Sequence, residues 1–247
     1  MQNETEDKNW YEAWFDSSYY HILYKNRDGE EAKKLLNNLV LKQNLKPGMK
    51  VMDLCCGKGR HARYLNSIGF DVTGIDLSPK NIEYCKKFEN ETLHFYEQDM
   101  RQKFRDNYFD SIFNLFTSFG YFNDDKENEQ SILAAADGLK TGGCLVIDFL
   151  NVARVEADLK PYEIKVLGEI EFHIRKKIEN GFIYKRIAVV DGANEYTYTE
   201  QVRTLKLSDF QHYFKAAHLN LLHVYGDYDM NDYKSSSNRL LLIAQKN

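Results

Sequence analysis

Apolar positions along the chain follow two rhythms. From 10 to 24, Trp10, Tyr11, Trp14, Phe15, Tyr20 and Tyr24 recur at helical spacing, and from 30 to 41 Ala32, Leu35, Leu36, Leu39 and Val40 do the same. Between 51 and 149, short apolar runs alternate with amphipathic stretches. Strands are expected at 51–54, 71–76, 93–97, 109–116 and 144–149, with helices over 59–68, over 78–88 and from Asp124 to Leu139. Alternation of this kind builds a parallel sheet covered by helices. After Phe149 the rhythm changes to strand after strand, at 164–166, 170–178, 182–190 and 196–207. The middle pair is joined across Asn180-Gly181, a dipeptide suited to a two-residue hairpin turn. Ser208 and Gln211 read as a capping box opening a helix to His218, and strands at 219–225 and 239–245 finish the chain.

Composition narrows the classes. The 247 residues carry a formal net charge of −4 and no Lys/Arg block, so the footprint of a nucleic-acid binder is missing. No apolar run reaches membrane-spanning length, and Met1 to Asn9 is polar without the apolar region of a signal peptide. The four cysteines, Cys55, Cys56, Cys85 and Cys144, lack metal-site or disulfide-framework spacing. Reduced thiols and a cytoplasmic protein are expected, with no metal. Aromatic residues make up 14% of the chain, with seventeen tyrosines against two tryptophans. Core packing accounts for most of them, and an aromatic cavity for a substrate or a sulfonium cation is the sharper reading.

The chemistry gathers at Val51-Met-Asp-Leu-Cys-Cys-Gly-Lys-Gly-Arg-His61, a buried-strand pattern that runs into two glycines and then a helix. Gly57 and Gly59 permit torsions and close approach that a Cβ would block. The helix that follows aims unpaired N–H groups at the crevice beyond the strand. The spacing Gly57-x-Gly59-x-x-Ala62 also fits a dinucleotide reader. Asp53 separates the two possibilities. A carboxylate four positions before Gly57 repels a diphosphate but can receive an ammonium group, directly or through water. Here the sequence resembles the class I S-adenosylmethionine-dependent methyltransferases, whose first motif is an acidic residue, three residues, then Gly-x-Gly. The resemblance runs from about Trp10 to the C-terminus and is strongest between Lys50 and Phe149. It implies a Rossmann-like, doubly wound seven-stranded sheet, mostly parallel with the last strand antiparallel, and an antiparallel β subdomain inserted before strand six. One domain would then span 1–247, with a helical cover at 10–45 and the insertion at 151–207.

The same resemblance assigns the S-adenosylmethionine contacts. Asp53, Gly57 and Gly59 would cradle the methionine half, and Asn114 or Leu115 would offer a backbone oxygen to its ammonium. Tyr24 and Arg27 match an N-terminal Tyr–Arg pair, with Arg27 placed to fork onto the carboxylate. Asp76, at the tip of the second strand, would accept the ribose hydroxyls. Asp99 would accept from the adenine amine while Met100 packs the ring, and Cys55 and Leu77 complete the set.

The acceptor side is less defined. Phe116-Thr-Ser-Phe-Gly-Tyr-Phe122 resembles the stretch after strand four in amino-sugar N,N-dimethyltransferases and related small-molecule enzymes, including the glycine and sarcosine N-methyltransferase type. That makes Ser118 and Tyr121 polar groups of a substrate wall. Pro47, Pro79 and Pro161 are the chain's only prolines, so neither the two-proline grip of DNA amino-methyltransferases nor the Pro-Cys of cytosine-C5 enzymes is present. Tyr19, His21 and Tyr121 are the candidate catalytic groups. Tyr20, His173, Arg203, Tyr225 and Asp227 are further candidates, each with an ordinary structural role as the alternative. The expected activity is methyl transfer to nitrogen or oxygen of a small acceptor, with a homodimer through the insertion as the partner. A nicotinamide-dependent oxidoreductase shares the glycines, Ala62 and Asp76 but leaves Asp53 and Asp99 unexplained. A non-catalytic S-adenosylmethionine-binding module is the second rival.

Overall fold

In the computed structural model, residues 10–24 and 29–247 are described, and they gather into two compact units. Of the described residues, the larger comprises 29–158 and 204–247, and the smaller comprises 10–24 and 159–203.

The larger unit contains α3 (Gly29–Lys42), β1 (Lys50–Leu54), α4 (Arg60–Ser67), β2 (Asp71–Asp76), α5 (Pro79–Lys86), β3 (Leu93–Glu97), β4 (Phe109–Asn114), α6 (Asp125–Gly138), β5 (Leu139–Leu150), α7 (Val152–Ala157), α8 (Leu207–Ala216), β10 (Leu219–Tyr225) and β11 (Arg239–Lys246). Its seven strands lie in the order β10-β11-β5-β4-β1-β2-β3. β1 to β5 pair in parallel, and β11 runs antiparallel to both β5 and β10, as the sequence led us to expect. The order reverses between β1 and β4, which opens a crevice at their C-terminal ends. Strands with helices on both faces read as nearly continuous apolar runs, and Val51, Met52 and Leu54 in β1 and Val146, Ile147 and Phe149 in β5 are accordingly buried. Two polar residues interrupt those runs. Asp53 and Asp148 are 1% and 0% exposed.

The smaller unit contains α1 (Trp10–Phe15), α2 (Ser18–Leu23) and a separate antiparallel sheet of β6 (Tyr162–Leu167), β7 (Ile170–Glu179), β8 (Phe182–Asp191) and β9 (Asn194–Arg203) in that order. Asn180 (φ 50°) and Gly181 (φ 78°) both adopt left-handed backbone, as their hairpin requires. Phe172, Ile174, Ile187 and Val189 share one face and are fully buried. Trp14 packs its ring 4.8 Å from that of Tyr198.

Several boundaries differ from the sequence expectation. The stretch 10–24 is two helices, because Ser17 leaves the helix and its hydroxyl accepts the Tyr20 N–H at 3.1 Å. The helix expected from Ser208 begins at Leu207. Asp209 rather than Gln211 reaches back, its carboxylate accepting the Lys206 N–H at 2.7 Å. The fourth strand stops at Asn114, because Phe116 and Thr117 turn into left-handed backbone at φ 58° and 65°. The last inserted strand ends at Arg203.

Candidate functional site

β1 delivers Asp53 to the crevice with its carboxylate almost wholly excluded from water. Oδ2 accepts the N–H of Ala62, in the first turn of α4, at 3.0 Å. Burial raises the carboxyl from 3.8 to about 7, against the lowering effect of that N–H, and Asp76 pushes it further up. The Nδ1 of His61 stands 3.9 Å from Oδ1. Burial and the neighbouring Arg60 lower this imidazole to about 3, so it stays neutral and the pair is no salt bridge. Among the described residues Asp53 has no charged ion-pair partner; the nearby Arg60 lowers its titration but does not offset burial, and an ammonium group in the crevice would favour its ionised form.

The turn itself is shaped by three consecutive demands. Cys55 takes left-handed backbone (φ 65°) directly after the strand, and its thiol lies 3.6 Å from the Met100 sulfur. Gly57 (φ 53°) has open space where a Cβ would stand, whereas a Cβ on Gly59 (φ 71°) would come within 2.9 Å of the Phe95 ring. Gly57 thus keeps the crevice clear, and Gly59 lets α4 close onto the sheet. Asp76 holds the turn from β2. Its Oδ2 accepts the Gly57 N–H at 2.8 Å and its Oδ1 accepts the Ser78 N–H at 2.9 Å. The Asn81 amide stands 3.5 Å from Oδ1 as a further donor. Leu77 beside it is 37% exposed.

Beyond β3, Asp99 is held by a partner that the sequence reading overlooked. Arg101 donates from Nε at 3.1 and 3.0 Å and from Nη2 at 2.5 Å, and it reaches Glu127 of α6 with Nη1. Burial alone would raise the Asp99 carboxyl, but the Arg101 guanidinium and N–H outweigh it and the net shift is downward. Met100 is buried next to it. At the β4 tip, Asn114 donates through Nδ2 to Leu54 O at 3.3 Å and to Ser118 O at 3.0 Å. Its Oδ1 is buried and has no hydrogen-bond donor among the described residues. The Leu115 carbonyl already accepts the Ser118 hydroxyl at 2.9 Å, with one lone pair remaining.

The β4 corner carries a network that the sequence reading missed. Two consecutive non-glycine residues in left-handed backbone cost roughly 1–3 kcal/mol each and persist only where the surroundings enforce them. Asp148 enforces them here. Its Oδ2 accepts the Phe116 N–H at 2.9 Å and the Tyr228 hydroxyl at 2.8 Å, while its carbonyl accepts the Thr117 N–H at 2.9 Å. Arg239 donates Nε to Asp148 Oδ1 at 2.7 Å and Nη2 to the Thr117 hydroxyl at 2.8 Å. Phe116 stacks on His61 at 5.1 Å, and the Tyr121 hydroxyl donates to Thr117 O. An acid inside the apolar run of β5 was the one available signal, of the same kind that marked Asp53.

The remaining candidates have partners of their own. In the smaller unit the Tyr19 hydroxyl donates to Asp191 at 2.9 Å. Burial among neighbouring rings, then the Asp191 carboxylate, pushes its titration above the ordinary tyrosine range, which favours a hydroxyl donor over a base. His21 meets the Tyr20 ring edge-on at 5.3 Å. Tyr24 joins Lys185, Glu200 and Trp14 in a polar cluster, with its hydroxyl 2.6 Å from Glu200 Oε1. His173 bonds Tyr162 and Glu171, and Arg203 lies over the Phe182 ring. In the larger unit Tyr225 is buried, and Asp227 accepts N–H groups of its own loop from Asp229 and Asn231. Arg27 lies outside the described residues. Among the described residues no group of three or more His, Cys, Asp or Glu side chains is arranged to hold a metal ion.

A switch-point crevice with a buried acid ahead of a two-glycine turn, on a seven-stranded sheet with a reversed last strand, defines the class I methyltransferase fold. Comparison with known proteins agrees. Residues 51–143 match the methyltransferase domain family. The putative methyltransferase YqeM of Bacillus subtilis is 24% identical over 220 residues, covering 80% of this chain and 84% of that protein. The dTDP-3-amino-3,4,6-trideoxy-alpha-D-glucopyranose N,N-dimethyltransferase of Streptomyces venezuelae is 25% identical over 131 residues, covering 52% of this chain and 54% of that one. An S-adenosylmethionine-dependent methyltransferase structure from Clostridium acetobutylicum superposes with a TM-score of 0.79 at 19% identity, over 92% of this chain and 96% of that chain. On this fold the chain is an enzyme that transfers a methyl group from S-adenosylmethionine. The oxidoreductase and the non-catalytic module are not favoured.

Proposed function

We propose that the chain methylates a nitrogen or oxygen of a small-molecule acceptor, and that its own residues serve mainly to align the reactants. The observation that carries this reading is the buried Asp53 carboxyl, whose titration burial raises to about 7 despite the nearby Arg60, ahead of a turn whose first glycine faces open space. The donor set suits a ligand with a cationic amino-acid end and a neutral nucleoside. Asp53, Gly57, Gly59, the orphaned Asn114 Oδ1 and the Leu115 carbonyl would take the ammonium end. Asp76 would take the ribose, flanked by Cys55 and Leu77. Asp99 and Met100 would take the adenine, with Arg101 holding the Asp99 carboxylate in place. Tyr24 and Arg27 would serve the carboxylate.

S-adenosylmethionine supplies a methyl group on a positively charged sulfur that departs neutral. Alignment then suffices for most of the acceleration, since well-placed reactants gain effective molarities of about 10⁵–10⁸ M. Tyr121 would face the acceptor, held through Thr117 O by the Asp148–Arg239 network. Tyr19 and His21 are the other groups proposed for acceptor handling. The amino-sugar dimethyltransferase among the relatives supports a small polar acceptor. Four free cysteines support a reducing, cytoplasmic setting. A second copy of the chain, joined through the inserted sheet, is the proposed protein partner.

The test is a mass-spectrometric screen of pooled metabolites incubated with the protein and isotopically labelled S-adenosylmethionine, with a labelled small product expected. Calorimetric titration that gives heat with NADH and none with S-adenosylmethionine would overturn the reading. Asp76→Ala is expected to weaken donor binding by about 1–3 kcal/mol, and an unchanged dissociation constant would remove the ribose assignment.

A further inference from the structure

We infer that β6 is the strand through which the chain joins its second copy, pairing antiparallel with β6 of that copy and placing Ile164 opposite Ile164. This deepens the partner reading above, which names the sheet but neither strand nor register. β6 pairs only with β7 among the described residues, so its other edge offers a row of main-chain donors and acceptors. Its alternate residues Tyr162, Ile164 and Val166 are 47%, 51% and 61% exposed. Three large apolar side chains in succession on one face of an edge strand are a surface that monomers avoid.

Charge selects both the occupant and the register. A two-fold axis between antiparallel strands requires some residue to face its own copy, because directly opposed side chains share one face of the sheet. With Glu163 or Lys165 on the axis, like charges meet directly, which is unfavourable. With Ile164 on the axis, Tyr162 faces Val166 twice, and Glu163 faces Lys165 twice on the other side of the sheet. Lys165 is exposed, and among the described residues no ion pair holds it, although it already lowers the titration of Glu163 two positions away. Glu163 gives one oxygen to Lys176 at 2.6 Å, leaving Oε2 for the second copy. The opposite edge, β9, lacks these features. Its Glu195, Thr197 and Thr199 share a face that carries no large apolar side chain, and Trp14 packs against Tyr198 on the other.

The test is sedimentation velocity on the full chain, with S-adenosylmethionine calorimetry on every variant to verify folding. The wild type is expected to be a dimer. Lys165→Glu and Ile164→Lys, each at an exposed position, are each expected to raise the dimer dissociation constant about tenfold or more, from like charges placed opposite one another. Mixing Lys165→Glu with Glu163→Lys is expected to restore a mixed dimer, since every charged pair is then opposite in sign. If Glu163→Lys fails to fold beside Lys176, the two exposed variants decide alone. A wild type that stays monomeric at its highest soluble concentration overturns both this inference and the partner reading. A dimer untouched by Lys165→Glu and Ile164→Lys overturns the strand and register while leaving the partner reading in place. Neither outcome bears on methyl transfer, and the calorimetry follows donor binding separately.

Discussion

Replacing Asp53 with asparagine separates what this carboxylate does for the fold from what it does for the ligand. Asp53 is almost completely buried, and its folded-state titration near 7 stands above the unfolded value near 3.8. The sign follows from proton linkage. Below about pH 4 both states bind the proton and the group has no effect on stability. Between about 4 and 7 the folded state binds more protons than the unfolded one, so stability falls as pH rises, and above 7 the penalty is complete. A shift of about three units at roughly 1.4 kcal/mol each sets a ceiling of about 4 kcal/mol. Asparagine keeps the size and an oxygen for the Ala62 N–H but does not ionise. Asp53→Asn is therefore expected to melt several degrees above wild type at pH 8.5 and to keep only about a third of that advantage at pH 5. S-adenosylmethionine should reverse that advantage by stabilising the wild type, whose carboxylate can meet the ammonium, more than the variant. Thermal melts at both pH values, with and without the ligand, read all four quantities. A variant less stable than wild type at pH 8.5 without ligand, or equally stabilised by the ligand, would refute the reasoning.

The corner network and the turn give two further predictions. Arg239→Met leaves Asp148 buried with its cation removed, which is expected to destabilise by about 3–5 kcal/mol in denaturant melts; Arg239→Lys, which keeps the charge, should recover part of that loss. Gly59→Ala forces a Cβ to 2.9 Å from the Phe95 ring in left-handed backbone, and is expected to lower stability by about 2–4 kcal/mol. Gly57→Ala, with nothing within 4 Å of its added Cβ, is expected to change stability by about 1 kcal/mol and mainly weaken S-adenosylmethionine binding. Equal melting curves for the two alanine variants would contradict this division of roles.

The strand–turn–helix around Asp53 was legible in the sequence because its causes are local. Period-two and period-3.6 patterns reflect which face of an element meets the core, and two glycines report a left-handed turn within a few residues of where it forms. The antiparallel sheet and its hairpin were readable for the same reason, through alternation and Asn180-Gly181. The Gly57-x-Gly59 spacing was ambiguous by itself, and the acid in the strand decided the chemistry.

Charge pairing across the fold was not legible. Asp148 and Arg239 meet across 91 positions, and nothing at either one specifies the other. Only strand pairing between β5 and β11 brings them together to clamp the β4 corner. Arg101 is two residues from Asp99, yet whether it points at that acid or into solvent depends on Glu127 in α6. Sequence determined which segments form elements and which strand carries an acid inside its apolar run, because local sterics and hydrophobic burial act over a turn or two. Tertiary structure decided which charges are already satisfied and which backbone is held under strain, because those depend on groups that only the folded sheet makes neighbours.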